Sequence, residues 1–416
     1  MQPRKVVVTG IGAVSPNGLG REEFWRACRD GRSGVRHLTL FDAKDHPIKY
    51  GGEAWGFDAD AWVQPKDRPH VSRVAPLALA AAAEAIDDAD LEPGRMSRDE
   101  LRSVGVLLGT GGAAQEFSEE QYRLYYNGLQ KQCSVYVIPS STPGTLASEI
   151  SMRFGFRGAS HVVSTGCTSS TDAIGHAFRA IRHGEEECFV AGGADAPIAP
   201  LILRGFQLMR IMTTRWNHAP EQASRPFSKD RDGFVIAEGA WMFVLEHEER
   251  ARARGARIYG EVAGYGSTCE AFHRVRLEEC GEEPARAMTI AMKDARMEPE
   301  AVQYVSYHGT STELNDRIET RAMKLAFGRH AERLAGSALK SLIGHPQGAC
   351  GAAGMAATLL AMRDGEAHPT INLNDPDPEC DLDYIANAAR RIEIENAVCN
   401  CIAFGSKNSA LALRRV

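Results

Sequence analysis

Short apolar runs alternate along the chain with longer segments of helical periodicity. In the first 255 residues, the runs typical of buried strands cover residues 6–8, 104–108, 161–163 and 188–191. The segments with helical spacing cover residues 22–29, 71–89, 143–154 and 168–182. Strands that alternate with helices in this way predict an α/β protein whose parallel or mixed sheet is covered on both faces.

The same rhythm restarts after a charged connection at residues 251–255. Strands are predicted at residues 258–263, 302–306, 334–337, 398–404 and 409–413. Helices are predicted at residues 283–296, 313–327 and 349–363. The two parts hold similar numbers of elements, although no residue identity between them is evident. This repeat predicts a duplicated α/β unit with halves at residues 1–255 and 256–416.

Composition and charge narrow the class of protein. The 416 residues are 44% hydrophobic and 25% charged, which is ordinary for a soluble globular chain. The formal net charge of -6 argues against a nucleic-acid partner, because phosphate binding requires clustered excess Lys and Arg. No apolar run is long enough to span a membrane, and the N-terminal residues do not resemble a signal peptide.

The ten cysteines indicate a reducing compartment. They form no CxxC pair and no zinc-ligand spacing with histidine, and they lie in apolar or glycine-rich stretches. Cys399 and Cys401 point to one face of a predicted strand, and we interpret both as buried apolar side chains. We therefore expect a cytoplasmic protein without a metal site.

A cysteine at the start of a predicted helix is a candidate nucleophile. The strand at residues 161–163 leads to Gly166, and Cys167 then heads the helix at residues 168–182. Glycine permits a strained turn, and a helix N-terminus favours the thiolate. A buried structural cysteine is the commoner case, but hydroxyl residues flank this one on both sides. Cys167 is therefore a candidate for acyl transfer.

Two histidines lie on glycine-flanked turns in the second half. His308 follows a predicted strand and precedes Gly309, and the carboxyl end of a strand is where α/β sites usually form. His345 follows Lys340 in a glycine-rich loop that matches no phosphate-binding motif. Each histidine alone is more often a core residue. Together with Cys167, they make a nucleophile with two hydrogen-bond donors for a carbonyl oxygen, which requires no metal.

Four long motifs follow one another over nearly the whole chain. They are VVVTGIGAVSPNGLG (6–20), RPFSKDRDGFVIAEGA (225–240), HGTST (308–312) and KSLIGHPQGACGAAG (340–354). In this order and spacing, the chain resembles the β-ketoacyl-acyl-carrier-protein synthases of the thiolase superfamily. Within that family, STGCTSSTDAIGHA (164–177) and DPDPECDLDY (375–384) are most similar to ketosynthase-alpha subunits of bacterial type II polyketide synthases. The resemblance implies a thiolase-like, duplicated αβαβα five-layered sandwich that dimerises edge to edge.

The resemblance also implies a role for each candidate residue. Cys167 would hold the growing acyl chain as a thioester. His308 and His345 would bind the malonyl thioester carbonyl, promote decarboxylation and stabilise the enolate that attacks the acyl group. Lys340 and Glu319 would form a buried ion pair that supports the histidine loops.

Three further positions match the family's substrate channel. Thr310 and Thr312 match residues that hydrogen-bond the phosphopantetheine arm. Phe404 matches the gating phenylalanine, and its N–H would form an oxyanion hole with that of Cys167. No cofactor is implied, because the substrates arrive on the phosphopantetheine of a carrier protein.

The closing motif NCIAFGSKN (400–408) departs from the family pattern. Ala403, Ser406 and Lys407 replace glycine and threonine or phenylalanine positions, and side chains in place of glycine predict a stiffer or differently shaped gate. Residues 169–171 also differ from the aromatic-polyketide version. Together these differences favour a subfamily that makes reduced, polyene-type chains.

Three functions remain open at this point. The first is the active condensing subunit, paired with a chain-length factor in a heterodimer. The second is a homodimeric synthase of fatty-acid elongation, and the third is a non-condensing partner that only binds carrier protein. The intact Cys167 argues against the third. An acidic carrier protein requires a basic mouth, for which Lys66, Arg68 and Arg204 are candidates.

Overall fold

The computed structural model describes residues 4–416. Its strands are β1 (Val6–Ser15), β2 (Gly18–Leu19), β3 (Arg36–His37), β4 (Tyr50–Gly51), β5 (Val104–Gly109), β6 (Ser160–Val163), β7 (Cys188–Asp195), β8 (Gly239–His247), β9 (Gly260–Cys269), β10 (Tyr304–Ser306), β11 (Ala335–Ser337), β12 (Glu366–Ala367), β13 (Arg390–Arg391), β14 (Asn396–Ala403) and β15 (Lys407–Arg414). Its α-helices are α1 (Arg21–Arg29), α2 (Val74–Asp88), α3 (Arg98–Arg102), α4 (Gln115–Tyr126), α5 (Val137–Ser141), α6 (Thr145–Phe154), α7 (Ser169–His183), α8 (Pro200–Leu208), α9 (Glu248–Ala253), α10 (Glu282–Asp294), α11 (Glu313–Phe327), α12 (Lys340–Ile343) and α13 (Cys350–Asp364).

The two halves of the chain form sheets of the same topology, which are joined into one continuous sheet where β1 pairs antiparallel with β9. The first sheet has the order β6-β5-β7-β8-β1, with β5, β6 and β7 parallel and β8 antiparallel to both of its neighbours. The second has the order β11-β10-β14-β15-β9, with β10, β11 and β14 parallel and β15 antiparallel to its neighbours. When the five main strands of each half are taken in chain order, they occupy the same positions in both sheets. The duplicated α/β unit is therefore confirmed.

Helices form three layers around the two sheets. Helices α2 and α6 cover the first sheet, and α10 covers the second with α11 beside it. Helices α7 and α13 contact each other and strands of both sheets. Their approach is close, since a Cβ added at Gly351 of α13 would lie 2.0 Å from Thr171 Oγ1 of α7. The five-layered sandwich is confirmed, with α7 and α13 in the central layer.

The central position of α13 follows from its composition. Its residues from Cys350 to Met362 are all buried, so the helix has no polar face. A helix that is apolar all round must be covered on every side. No helix within residues 4–416, α13 included, has the length and apolar content that are needed to cross a bilayer. The predicted division at residues 255 and 256 falls between α9 and β9.

Several elements were missed by the sequence analysis. Strand β8 is an almost continuous buried run, because both faces of its sheet are covered, and such a run has no alternation to identify it. Helices α4, α5 and α8 were missed because apolar side chains lie on their exposed faces, among them Tyr126, Ile138 and Leu201. All of these elements lie in the first half.

Candidate active site

Cys167 lies where the first sheet meets the central layer. The chain leaves β6, turns at Gly166 with φ of +73° and enters α7 two residues after the cysteine. A positive φ favours glycine. Ser169 holds the turn, since its Oγ donates to the Gly166 carbonyl at 2.5 Å and accepts the Thr165 N–H at 2.9 Å. The nucleophile therefore occupies the helix N-terminus that the sequence predicts.

The Cys167 sulfur is a thiol in the resting site. Burial raises its pKa and the neighbouring Cys350 raises it further, while the Lys340 ammonium and the Phe404 N–H oppose the shift without overcoming it. The expectation of a resting thiolate at the helix N-terminus is therefore wrong. The physical reason is that the side chain is only 5% exposed, so water does not stabilise the anion.

His308 is held from two sides. Its backbone N–H donates to Glu319 Oε1 at 2.6 Å, and the Gly309 N–H donates to Oε2 of the same carboxyl group at 2.7 Å. On the other side, Lys340 Nζ lies 3.3 Å from His308 Nδ1 and also donates to the His308 carbonyl. An ammonium group can only donate, so Nδ1 is the acceptor and the ring proton is on Nε2.

His345 has the same tautomer through a different contact. Its Nδ1 accepts the Gln347 N–H at 3.1 Å, which leaves the proton on Nε2. Its backbone N–H donates to the Val235 carbonyl at 2.7 Å, and its carbonyl accepts the Ala237 N–H at 3.1 Å. The loop is therefore fastened to the chain that precedes β8.

Both imidazoles are neutral. Burial lowers the pKa of His308 well below its ordinary value, and the Lys340 ammonium and His345 lower it further. Burial and Lys340 likewise lower the pKa of His345. Each ring therefore presents one Nε2–H donor without a positive charge.

The reactive atoms of the three residues converge. The sulfur of Cys167 and one nitrogen from each of His308 and His345 all lie within 4.8 Å of one another. The imidazole centroids are 5.5 Å apart, and the rings are inclined at 86°. Since each Nδ1 has its own partner, the Nε2–H groups are the donors that remain. The arrangement can hold a carbonyl oxygen between two N–H groups, next to a nucleophilic sulfur.

The expected ion pair between Lys340 and Glu319 is absent from the described residues, in which Lys340 Nζ contacts His308 and the Glu319 carboxyl group accepts N–H groups from other residues. Instead, they hold opposite sides of His308. Glu319 is fully occupied by the two backbone N–H groups and by Asn400 Nδ2, which donates to Oε1 at 2.7 Å. Burial raises the pKa of Glu319 to about 7. The correction changes the partners of these residues but leaves both beside the histidine.

A mostly apolar cavity of about 390 Å³ opens onto the three reactive residues. Thr310 and Thr312 line it, with their Oγ1 atoms 2.8 Å apart. The remaining lining residues are Met209, Ile211, Phe234, His273, Val275, Arg276, Leu277, Leu314, Asn315, Ile402, Ala403 and Phe404. The cavity therefore joins the sulfur to two hydroxyl groups through apolar walls.

Phe404 begins the turn between β14 and β15, which we call the gate turn (residues 404–406). Its N–H lowers the pKa of the Cys167 thiol, against the larger effect of burial. Ser406 has φ of +65°, and its Oγ donates to the His273 carbonyl at 3.0 Å and accepts the His273 N–H at 3.2 Å. A serine in place of glycine thus ties the gate turn to a neighbouring loop; the stiffness of the gate stays a prediction.

Asp195 is a site residue that the sequence analysis missed. Its buried carboxylate accepts the Thr110 hydroxyl at 2.7 Å and the N–H groups of Gly111, Gly112 and Gly348 at 2.7, 3.1 and 2.6 Å. It therefore joins the end of β7 to the turn that follows His345. The available signal was a carboxylate four residues after the predicted strand at residues 188–191, which β7 extends as far as Asp195.

The interpretation of Cys401 as a buried apolar side chain was incomplete. Cys399 and Cys401 do point to one face of β14, but they have different surroundings. Cys399 Sγ contacts Thr358 Oγ1 at 3.5 Å, whereas Cys401 Sγ lies 3.1 Å from the Cys167 carbonyl oxygen and 3.6 Å from His308 Nδ1. Cys401 is therefore part of the wall of the site.

The predicted basic residues differ in their surroundings. Arg68 pairs with Asp60 at 3.0 Å, Arg204 donates to Gln207 at 2.7 Å, and Lys66 is exposed. None of them lines the cavity. The cationic side chain that does so is the exposed Arg276.

Comparisons with known proteins agree with this geometry. Residues 3–251 match the family model "Beta-ketoacyl synthase, N-terminal domain", and residues 259–374 match "Beta-ketoacyl synthase, C-terminal domain". The 3-oxoacyl-[acyl-carrier-protein] synthase 2 of Synechocystis is 39% identical over 100% of this chain and 99% of its own length. An actinorhodin polyketide β-ketoacyl synthase 1 of Streptomyces coelicolor is 39% identical over 99% of this chain and 88% of its own length.

Solved structures show the same likeness. A type II polyketide ketosynthase, bound to a hexaketide and in complex with its acyl-carrier protein, has a TM-score of 0.91 at 33% identity, with 100% of both chains covered. The ishigamide ketosynthase/chain length factor has a TM-score of 0.92 at 31% identity, again with 100% of both chains covered. The chain therefore belongs to the β-ketoacyl synthase family, the condensing enzymes that act as acyltransferases on carrier-bound substrates.

Proposed function

We propose that this chain joins an acyl group on Cys167 to a malonyl unit on an acyl-carrier protein, by decarboxylative condensation in a type II polyketide pathway. The observation that carries the proposal is the convergence of the Cys167 sulfur with one nitrogen of each neutral histidine within 4.8 Å. A nucleophile beside two uncharged donors suits a reaction that passes through an enolate.

The first step loads the acyl chain. The Cys167 sulfur attacks the carrier thioester and the bond to the pantetheine sulfur breaks, so the thiol proton ends on the departing pantetheine thiol. The Phe404 N–H, which favours the Cys167 anion, would stabilise the tetrahedral oxyanion. The raised pKa of the thiol means that proton loss accompanies the attack.

The second step forms the carbon–carbon bond. The Nε2–H groups of His308 and His345 hold the malonyl thioester oxygen while the bond to the carboxylate breaks and carbon dioxide leaves. The released electron pair forms an enolate, whose carbon attacks the acyl carbonyl on Cys167. The bond to the Cys167 sulfur then breaks, and the sulfur regains a proton. Thr310 and Thr312 line the route by which the pantetheine arm would enter.

We propose a paired assembly on the face formed by α4, α5 and the β6 edge. Strand β6 is the outermost strand of its sheet and has only β5 as a neighbour. Beside it, Tyr126 is 81% exposed, Val135 79% and Ile138 76%, more apolar surface than a solitary soluble chain usually leaves uncovered. A homologous chain-length-factor subunit is the proposed partner, by analogy with the ketosynthase/chain length factor structure.

The product class follows from the gate turn. The tether between Ser406 and His273 restricts the turn that Phe404 begins. A restricted gate would select among acyl chains by shape, and we propose that it favours reduced, polyene-type intermediates. Product analysis with and without a ketoreductase and a dehydratase tests this, and an unaffected poly-β-keto product would contradict it.

A fatty-acid elongation synthase is the second candidate. It is favoured by the 39% identity to the Synechocystis 3-oxoacyl-[acyl-carrier-protein] synthase 2 over nearly the whole of both chains. Purification separates the two candidates. A stable and active homodimer supports fatty-acid elongation, whereas a chain that is soluble only with a co-expressed homologue supports the polyketide complex.

Intact-protein mass spectrometry tests the condensing role. The protein is incubated with acyl- and malonyl-loaded carrier protein, with Cys167→Ala beside it and Cys399→Ala as the control at another buried cysteine. An acyl adduct on the wild type and on Cys399→Ala that is lost in Cys167→Ala, with extended product on the carrier, supports the proposal. A folded protein that gains no adduct, either alone or with a candidate partner, refutes it.

A further inference from the structure

Two more cysteines lie directly behind the nucleophile. Cys350 begins α13 and Cys401 lies on β14, and their Sγ atoms are 3.6 Å apart. Both sulfurs also contact the carbonyl oxygen of Cys167, at 3.2 and 3.1 Å. We propose that Cys350 and Cys401 are a modification site, which peroxide converts to a disulfide that reversibly stops condensation.

A metal ion is the competing ligand for this cluster. His308 Nδ1 lies 3.6 Å from Cys401 Sγ, so two sulfurs and one nitrogen could hold a soft cation. However, Lys340 Nζ lies 3.3 Å from the same nitrogen, and its positive charge would repel a cation there. The charge that disfavours a metal ion stabilises a thiolate, so oxidation is the chemistry that the surroundings support.

The two cysteines differ in acidity. Burial raises the pKa of both thiols. At Cys350 the hydrogen bond with Cys401 and the Lys340 ammonium outweigh burial, so its pKa falls below the ordinary value. The pair therefore combines a more readily ionised thiol with a neighbouring protonated one, which is the arrangement that forms a disulfide efficiently. Cys167, with a raised pKa, reacts more slowly with peroxide.

The oxidation balances in two steps. The Cys350 thiolate attacks one oxygen of hydrogen peroxide, the O–O bond breaks, and a sulfenic acid forms. The other oxygen leaves as hydroxide and becomes water with the proton that the Cys350 thiol had released. The Cys401 sulfur then attacks the sulfenic sulfur, and the hydroxyl group leaves as a second water with the Cys401 proton. The two thiols lose two electrons and two protons in all. A small thiol reductant reverses the change by exchange.

The disulfide would distort the site from two directions. The sulfurs must approach from 3.6 Å to about 2.05 Å. Cys350 lies in the chain five residues after His345, and Cys401 three residues before Phe404. Since misplacement of a reacting group by about 1 Å can cost about 10²-fold in rate, we expect about a hundredfold loss of condensation. The expected loss of condensation rests on the proposed function.

Peroxide titration with non-reducing peptide mapping tests the inference. The reduced protein is treated with hydrogen peroxide, and its peptides, intact mass and condensing rate are measured before and after reduction. The expected result is a Cys350–Cys401 linked peptide, an intact mass lower by about 2 Da, and a rate that falls and recovers. Crosslinking through Cys167, or oxidation without any crosslink, would overturn the inference.

Two serine variants sharpen the test. Cys350→Ser lacks the thiol that reacts with peroxide but keeps a hydrogen-bond donor, so under peroxide it should retain the rate of its own reduced form. Cys399→Ser is the matched control, because Cys399 lies on the same face of β14 with Thr358 as its neighbour, and this variant should remain sensitive. Equal inactivation of Cys350→Ser and wild type would overturn the switch. The peptide map shows whether the Cys350–Cys401 disulfide forms, even if the protein has no condensing activity.

Discussion

Glu319 lies behind His308 and offers a test of how the histidine is positioned. In Glu319→Gln, the side chain keeps its size but exchanges one acceptor oxygen for an NH2 group. The carboxylate accepts N–H groups from His308 and Gly309 and from Asn400 Nδ2, at 2.6, 2.7 and 2.7 Å. The amide has one acceptor oxygen where the carboxylate has two, so one of the two buried backbone N–H groups loses its partner whichever way the amide is turned.

The size of the effect follows from these contacts. A buried donor that is left unsatisfied costs about 1–3 kcal/mol. If half of this cost appears as displacement of His308, the decarboxylation rate falls by about three- to tenfold, since about 1.4 kcal/mol corresponds to tenfold. We expect the loss in kcat rather than in KM, because His308 acts on the forming enolate.

The same substitution changes the pH dependence of stability. The pKa of Glu319 is about 7 in the folded protein, above its ordinary value of 4.5, so the folded state binds this proton more tightly. Stability from this group is fully present below pH 4.5 and is lost as the pH rises to about 7. At about 1.4 kcal/mol per pH unit, the free energy of unfolding falls by about 3 kcal/mol over this range. Glu319→Gln should abolish this pH-dependent fall.

The assays are carbon dioxide release from malonyl-loaded carrier protein and denaturant unfolding between pH 5 and pH 8. Glu313→Gln, at the exposed start of the same helix α11, is the control and should match wild type in both. If Glu319→Gln decarboxylates at the wild-type rate and its unfolding free energy keeps the wild-type pH dependence, Glu319 neither positions His308 nor carries the raised pKa.

Four further predictions test other parts of the site. His345→Ala should lower decarboxylation by about 10²- to 10³-fold yet still acquire the acyl adduct on its cysteine, and equal loss of both steps would contradict separate roles. Thr312→Val removes the 2.8 Å contact between hydroxyl groups and should raise KM for the carrier substrate about fivefold with kcat preserved; an unchanged KM would count against a role in binding the arm. Ser406→Gly removes the hydrogen bond to the His273 carbonyl and should widen the range of acyl chains that load, as measured by adduct masses. An identical range would show that this hydrogen bond does not select acyl chains. Tyr126→Lys should weaken the assembly in analytical ultracentrifugation, and an unchanged sedimentation profile would place the interface elsewhere.

Lys340 has two effects that favour the same chemistry. Its ammonium contacts His308 Nδ1 and thereby selects the Nε2–H tautomer. Its charge also lowers the pKa values of His308 and His345, so both remain neutral. Neutral donors bind the uncharged thioester before decarboxylation and the anion after it, which places the stabilisation on the enolate.

The amino-acid sequence alone predicted the fold class and brought forward the three candidate residues that converge in the site. Cys167, His308 and His345 each follow an apolar run and adjoin a glycine, and such signals depend only on neighbours in the chain. Strand and helix periodicities are equally local, which is why the duplicated α/β unit could be predicted.

Only the tertiary structure decided how those residues are charged and held. The protonation of Cys167 depends on burial, and the partner of Lys340 is His308 instead of Glu319 because α12 and α11 approach the histidine from opposite sides. Cys401 lies beside a nucleophile 234 residues away in the sequence. Such contacts are set by the packing of two sheets around a shared central layer, and no local pattern encodes the distance between them.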